Sequence, residues 1–139
     1  MTTRIAQCGC GSLKAEADAE PAVVSLCNCI ECQRRTGSPF GVGAYYEAAQ
    51  VRVSGPSKVY QREVEGRWLR FHFCPECGST VYWQTANHPG RYGIAVGAFA
   101  DPHFPKPARS VFERSRHDWV LLGEDIPGFT AGRDSAPSR

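Results

Sequence analysis

A chain of 139 residues is one domain's worth of polypeptide, and an apolar fraction of 42% with 11% aromatics excludes global disorder. A formal net charge of +2 is too small to point to nucleic acid or to an anionic membrane. Fourteen glycines and ten prolines exclude long helices and suit short strands joined by turns.

The N-terminal stretch runs from Met1 straight into Cys8 with no apolar leader, and no apolar run approaches the ~20 residues that span a bilayer. Seven cysteines, an odd number at C-x-C and C-x-x-C spacings, favour metal ligands over disulfides. A cytoplasmic protein with no membrane partner is the expectation.

In chain order, Ile5 to Gln7 reads as a short strand leading into Cys8-Gly9-Cys10-Gly11. Ser12 to Ala17 alternates as a second strand, Asp18 to Pro21 turns, and Ala22 to Leu26 is a buried strand that delivers the chain to Cys27-Asn28-Cys29-Ile30-Glu31-Cys32. Ile30 to Arg35 reads as one helical turn, ended by Gly37-Ser38-Pro39. Further strands are expected over Phe40–Tyr46, Gln50–Ser54, Lys58–Val64 and Trp68–Phe73, the last entering Cys74-Pro75-Glu76-Cys77-Gly78. Ser79 to Gln84 leaves that knuckle as a strand, and Asn87 to Gly90 is a loop. Tyr92 to Phe99 is small and apolar, the expected central strand. Three prolines bar residues 101–107 from a helix interior or a sheet centre. Ser110 to Glu113 reads as a strand, and Trp119 to Leu122 as an apolar segment packing back on the sheet. Trp68, Trp83 and Trp119 are expected in the core. Residues 1–129 form one domain on this reading, and 130–139 a flexible tail. Regular strand spacing with turn punctuation indicates an all-β, sandwich-like fold of short antiparallel strands.

The cysteines divide as two, three and two. In Cys74-Pro75-Glu76-Cys77-Gly78, proline fixes the turn and glycine takes the unusual backbone conformation after the second ligand, so both sulfurs reach one metal. Two thiolates half-fill a tetrahedral zinc shell, and either Cys8 with Cys10 or Cys29 with Cys32 can complete it. Spacing leaves both pairings open, with the first preferred.

If the outer pairs close one site, Cys27, Cys29 and Cys32 are left as a three-sulfur array with one open coordination position, as expected of a reactive metal site. A thiol entering that position becomes a thiolate near neutral pH, suited to adding to a small aldehyde. The rival readings are a closed structural site with a distant histidine, a non-catalytic zinc module for a protein or nucleic-acid partner, and a redox-sensing thiol cluster. His72, two residues before Cys74, is the histidine to check first. Arg34 and Arg35 follow the triplet and have the chemistry to hold substrate carboxylates.

The order Cys8-Gly9-Cys10-Gly11, Cys27-x-Cys29-x-x-Cys32, Cys74-Pro75-x-Cys77-Gly78 resembles the glutathione-dependent formaldehyde-activating enzyme family, also called the centromere protein V domain family. Gly97-Ala98-Phe99-Ala100-Asp101-Pro102, Ser110-Val111-Phe112, Ser115, Trp119 and Ile126-Pro127-Gly128-Phe129 extend the resemblance over nearly the whole chain. It implies a zinc-ribbon-derived β-tent fold, a structural zinc on Cys8, Cys10, Cys74 and Cys77, and a labile zinc on Cys27, Cys29 and Cys32, the catalytic residues. It implies a carbon–sulfur lyase that joins glutathione and formaldehyde as an S-(hydroxymethyl)glutathione synthase. Ser38 and Phe40, in the loop after the triplet, line the pocket on this reading with Arg34 and Arg35. Asn28 and Gln33 depart from the pattern, standing where many members carry His and Arg.

Overall fold

The computed structural model describes residues 3–139, which form ten strands and one α-helix. The all-β expectation holds: strands dominate and are mostly antiparallel. The chain divides into two compact units, one comprising Met1–Ala22 with Ala44–Phe104, the other Val23–Gly43 with Pro105–Arg139. No helix among the described residues is long and apolar enough to cross a membrane.

In the first unit, β1 (Arg4–Gln7), β2 (Lys14–Ala17) and β5 (Val51–Ser54) pair antiparallel in the order β1-β2-β5. Strand β2 shows why: Ala15 and Ala17 are fully buried while Lys14 and Glu16 alternate outward, the period-two signature of a half-buried strand. The outward charges are used, with Arg52 bridging Glu16 at 2.8 Å and also pairing with Asp18. Directly after β5, Gly55 has φ +96°, and a Cβ there would lie 1.9 Å from the Ser12 carbonyl oxygen. Only glycine fits that approach.

The same unit holds an antiparallel meander, β6 (Lys58–Val64), β7 (Arg67–Phe73), β8 (Thr80–Thr85) and β9 (Arg91–Ala95). Its core is Phe71, Val81, Tyr82, Trp83 and Ile94. Trp83 pairs with Gly93 across the β8–β9 ladder, and its indole nitrogen would lie 2.2 Å from a Cβ at position 93. Glycine in β9 therefore makes the floor on which the tryptophan rests. The expected strand over Tyr92–Phe99 is shorter than its apolar run: it ends at Ala95, and Val96–Phe99 is a 3₁₀ turn closed by Ala100 at φ 50°. Small residues tolerate either state, and the turn buries Phe99 against Tyr46 and Phe104.

In the second unit, β3 (Val23–Cys27) lies parallel to β10 (Arg109–Val111), with Ser110 opposite Leu26 and Val111 opposite Cys27. The expected Ser110–Glu113 strand breaks at Phe112, which has φ 56°, and a 3₁₀ turn follows over Glu113–Ser115. The helix α1 (Ile30–Thr36) begins where expected and stops at Gly37, φ 67°. β4 (Gly41–Glu47) carries the chain from the second unit back into the first. Trp119 corrects its core assignment: it is 69% exposed, Leu121 84%, and only Val120 between them is buried. Two-residue alternation at a surface turn leaves both large side chains outside. For residues 130–139, expected as a tail, the Thr130 amide donates to Ala136, the Ser138 amide to Gly128, and Arg139 to the Ile126 carbonyl at 2.6 Å.

Candidate metal centres

Cys8, Cys10, Cys74 and Cys77 converge in the first unit, their sulfurs all within 4.8 Å of one another. This is the preferred pairing of the two left open by spacing. The Sγ–Sγ separations of Cys8–Cys10 and Cys10–Cys74 are 3.6 Å. Two thiolates on a tetrahedral zinc with ~2.3 Å bonds lie about 3.8 Å apart, so the donors fit that ion. All seven cysteines are free.

The two knuckles share the same local plan, Cys-Gly-Ser. Gly11 and Gly78 take positive φ of 83° and 80°, which turns each chain back and brings the following serine to the sulfurs. The Ser12 hydroxyl lies 3.1 Å from Cys10 Sγ and 3.2 Å from Cys74 Sγ; the Ser79 hydroxyl lies 3.4 Å from Cys77 Sγ. The Leu13 amide donates to Cys8 Sγ at 3.2 Å. The hydroxyl and amide of Ser79, with the Cys10 amide, hold the Cys77 thiol down at about 5. Burial raises Cys8, but the Leu13 amide and the neighbouring thiol and hydroxyl outweigh it and bring it to about 7. Such polarised thiols are ready to bind a cation.

Cys27, Cys29 and Cys32 form the second cluster, their sulfurs also within 4.8 Å of one another. No other His, Cys, Asp or Glu ligand atom among the described residues joins either group. β3 ends at Cys27, and Cys29 caps α1, its Sγ accepting from the Cys32 amide at 3.3 Å. The Cys27 and Cys32 thiols donate toward Cys29 and hold it far below a free thiol, while the same bonds push Cys27 up. The cluster thus favours negative charge at the helix N-terminus.

The turn that carries the three sulfurs is fixed by polar side chains that the sequence reading did not single out for that role. Asn28 is fully buried between two cysteines; its Nδ2 donates to Ser110 Oγ and to the Val111 carbonyl, both at 2.9 Å, and its Oδ1 is buried without a partner. The Asn28 carbonyl accepts from Gln33 Nε2 and Ser115 Oγ, each at 2.9 Å. Gln33 also donates to the Ser115 carbonyl at 3.0 Å and lies 3.0 Å from His117 Nε2. The two departures from the family pattern, Asn28 and Gln33, are therefore paired to each other's surroundings. Their local signal was the polar residue inside and just after the array; the partners lie more than eighty positions away.

The other expected site residues separate. Arg35 Nη2 comes to 3.9 Å from Cys32 Sγ, whereas Arg34 is 76% exposed and faces Glu31 at 3.9 Å. Ser38 and Phe40 are half-buried in a loop folded around Thr36, whose hydroxyl accepts from the Ser38 amide at 3.0 Å. Histidine 72 is no ligand: its Nε2 pairs with Gln84 Oε1 at 3.0 Å and its ring stacks on Tyr82.

Fold and site together define a small all-β protein with two cysteine clusters compatible with metal binding. The model of the glutathione-dependent formaldehyde-activating enzyme family matches residues 3–115, and the chain belongs to that family. Among solved structures, the crystal structure of a Rhodobacter sphaeroides protein, a structural-genomics target, is similar with a TM-score of 0.55 and 24% identity over 68% of this chain and 85% of that one. At that identity the likeness shows the fold. No curated protein matches. Membership connects the chain with glutathione-dependent activation of formaldehyde.

Proposed function

We propose that this chain is a zinc-dependent carbon–sulfur lyase that joins a small thiol, glutathione first among candidates, to formaldehyde or a related aldehyde, and runs the reverse reaction. The observation that carries the reading is the triplet: three sulfurs gathered within 4.8 Å, with no further ligand side chain in the group among the described residues. Cys8, Cys10, Cys74 and Cys77 would hold a structural zinc, and Cys27, Cys29 and Cys32 the catalytic one. Bound at three sulfurs, zinc supplies a Lewis-acid position that turns an incoming thiol into a thiolate near neutral pH.

The chain's own residues do the rest. Cys27, Cys29 and Cys32 would hold the ion, and Asn28 keeps the turn that carries them in register by its bonds to Ser110 and Val111. The reaction forms one S–C bond between the thiol sulfur and the aldehyde carbon; the thiol's proton ends on the carbonyl oxygen, giving a hydroxymethyl thioether. Arg34 and Arg35 supply cationic groups within reach of an acidic thiol's carboxylates, and Ser38 and Phe40 would shape the approach.

The test is hydroxymethyl-thiol formation by zinc-loaded protein, measured above the spontaneous rate with glutathione and several other thiols. Acceleration that vanishes in Cys29→Ser supports the reading, and no acceleration with any thiol overturns it.

A further inference from the structure

Arg34 and Arg35 leave the last turn of α1 in different directions, and the difference has a chemical meaning. Arg34 points to water beside Glu31. Arg35 stands three residues after Cys32, on the same helix face, and its Nη2 lies 3.9 Å from Cys32 Sγ. Against this pair β4 begins with Gly41, which is buried. A Cβ at position 41 would fall 3.0 Å from Arg35 Nη2, 3.4 Å from Thr36 Cγ2 and 3.6 Å from Cys32 Cβ. Gly41 is not among the glycines of positive φ, so its backbone makes no demand for glycine. Space is tight instead, and a side chain at position 41 would press first on the guanidinium, which would have to shift by a few tenths of an ångström.

Three thiolates and a divalent ion carry a net single negative charge, and an incoming thiolate makes it two. Negative charge in a half-buried site is costly unless a cation or hydrogen-bond donor stands against it. Guanidinium is cationic at every working pH and weakly hydrated, which suits it to such a position better than an ammonium. We propose that Arg35 is the counter-charge of the triplet, a positioning residue packed against Gly41 whose guanidinium offsets the negative charge of a metal-loaded three-sulfur site and favours anionic thiols as the fourth ligand. This goes beyond a substrate-carboxylate contact and rests on the reading that the triplet holds zinc.

The experiment titrates zinc on the full chain with the four-cysteine site loaded, using a chromophoric chelator as competitor. Far-UV circular dichroism monitors the fold of each variant. Arg35→Gln is expected to weaken binding at the second site about 10–100-fold, the range for residues that support a metal ligand. Arg35→Lys recovers most of the loss, and Arg34→Gln stays within about twofold of the unmodified chain because its charge is solvated. Gly41→Ala keeps the charge but displaces it, and falls between. Unchanged affinity in Arg35→Gln, or an equal loss in Arg34→Gln, overturns the proposal. Should Arg35→Gln fail to fold, Gly41→Ala and Arg35→Lys decide, and unchanged affinity in Gly41→Ala counts against the proposal. An unmodified chain that takes up one zinc only overturns the zinc reading itself, a result distinct from a second site that ignores Arg35.

Discussion

The two cysteine clusters differ in how much chain each one closes. Cys10 and Cys74 stand 64 positions apart and yet lie 3.6 Å from sulfur to sulfur, whereas the triplet spans six consecutive residues. A metal on the first set closes a long loop and suppresses the entropy of the unfolded chain; a metal on the second closes almost nothing. The first is a fastener and is full with four sulfurs. The second is local, has three, and depends on borrowed bracing from Ser110, Val111 and Ser115. On the proposed function, stability and reactivity fall to different sulfurs.

The sharpest way to break this contrast is Cys74→Ser against Cys29→Ser. Binding free energies of ~10 kcal/mol for structural zinc rival a domain's whole stability, so Cys74→Ser is expected to yield no cooperative thermal transition by circular dichroism. Cys29→Ser should keep the transition and lose the second metal equivalent by native mass spectrometry. Chelation offers a milder version. A moderate chelator should strip one equivalent with the far-UV spectrum unchanged, and removal of the remaining metal should unfold the protein; simultaneous loss of both would erase the distinction.

Asn28→Ala tests the bracing. It removes two buried hydrogen bonds, from Asn28 Nδ2 to Ser110 Oγ and to the Val111 carbonyl, for an expected loss of about 1–3 kcal/mol in urea unfolding, and weakens the second metal by about 10-fold. Glu113 tests the second unit by pH. Burial raises its carboxyl, but the Ser138 and Ser110 hydroxyls and the Arg139 guanidinium prevail and hold it below the usual range. The charged form therefore stabilises the fold at neutral pH, and that contribution is lost as pH falls through the depressed folded-state value. Glu113→Gln should lower stability by about 1–3 kcal/mol at neutral pH and flatten the acid limb of the stability curve. The smallest effect belongs to Ser12→Ala, about 1 kcal/mol or less, read as faster zinc release from the four-cysteine site.

Much of this was legible in the residues because the informative features are local. Cys-Gly-Ser twice, and three sulfurs within six positions, are patterns that no distant partner has to complete. The alternation of β2 and the glycine stop of α1 are equally local. What escaped depends on long-range pairing. The Tyr92–Phe99 run has no side chain that distinguishes a strand from a 3₁₀ turn; packing of Phe99 decides it. Asn28 and Gln33 looked like losses from a motif because their partners sit at Ser110, Ser115 and His117. Trp119 stands in an apolar segment that reads as packing on the sheet, and its ring instead meets His117 edge-on at the surface.

The parallel pairing of β3 with β10 also bears on how the protein is made. The ribosome releases the three sulfurs of the triplet long before Ser110 and Ser115 exist to brace them. During that interval the growing chain presents a soft, unbraced thiol cluster, exposed to oxidation or to a wrong cation such as copper. A reducing, metal-buffered environment would protect the nascent triplet until the last third of the chain has emerged.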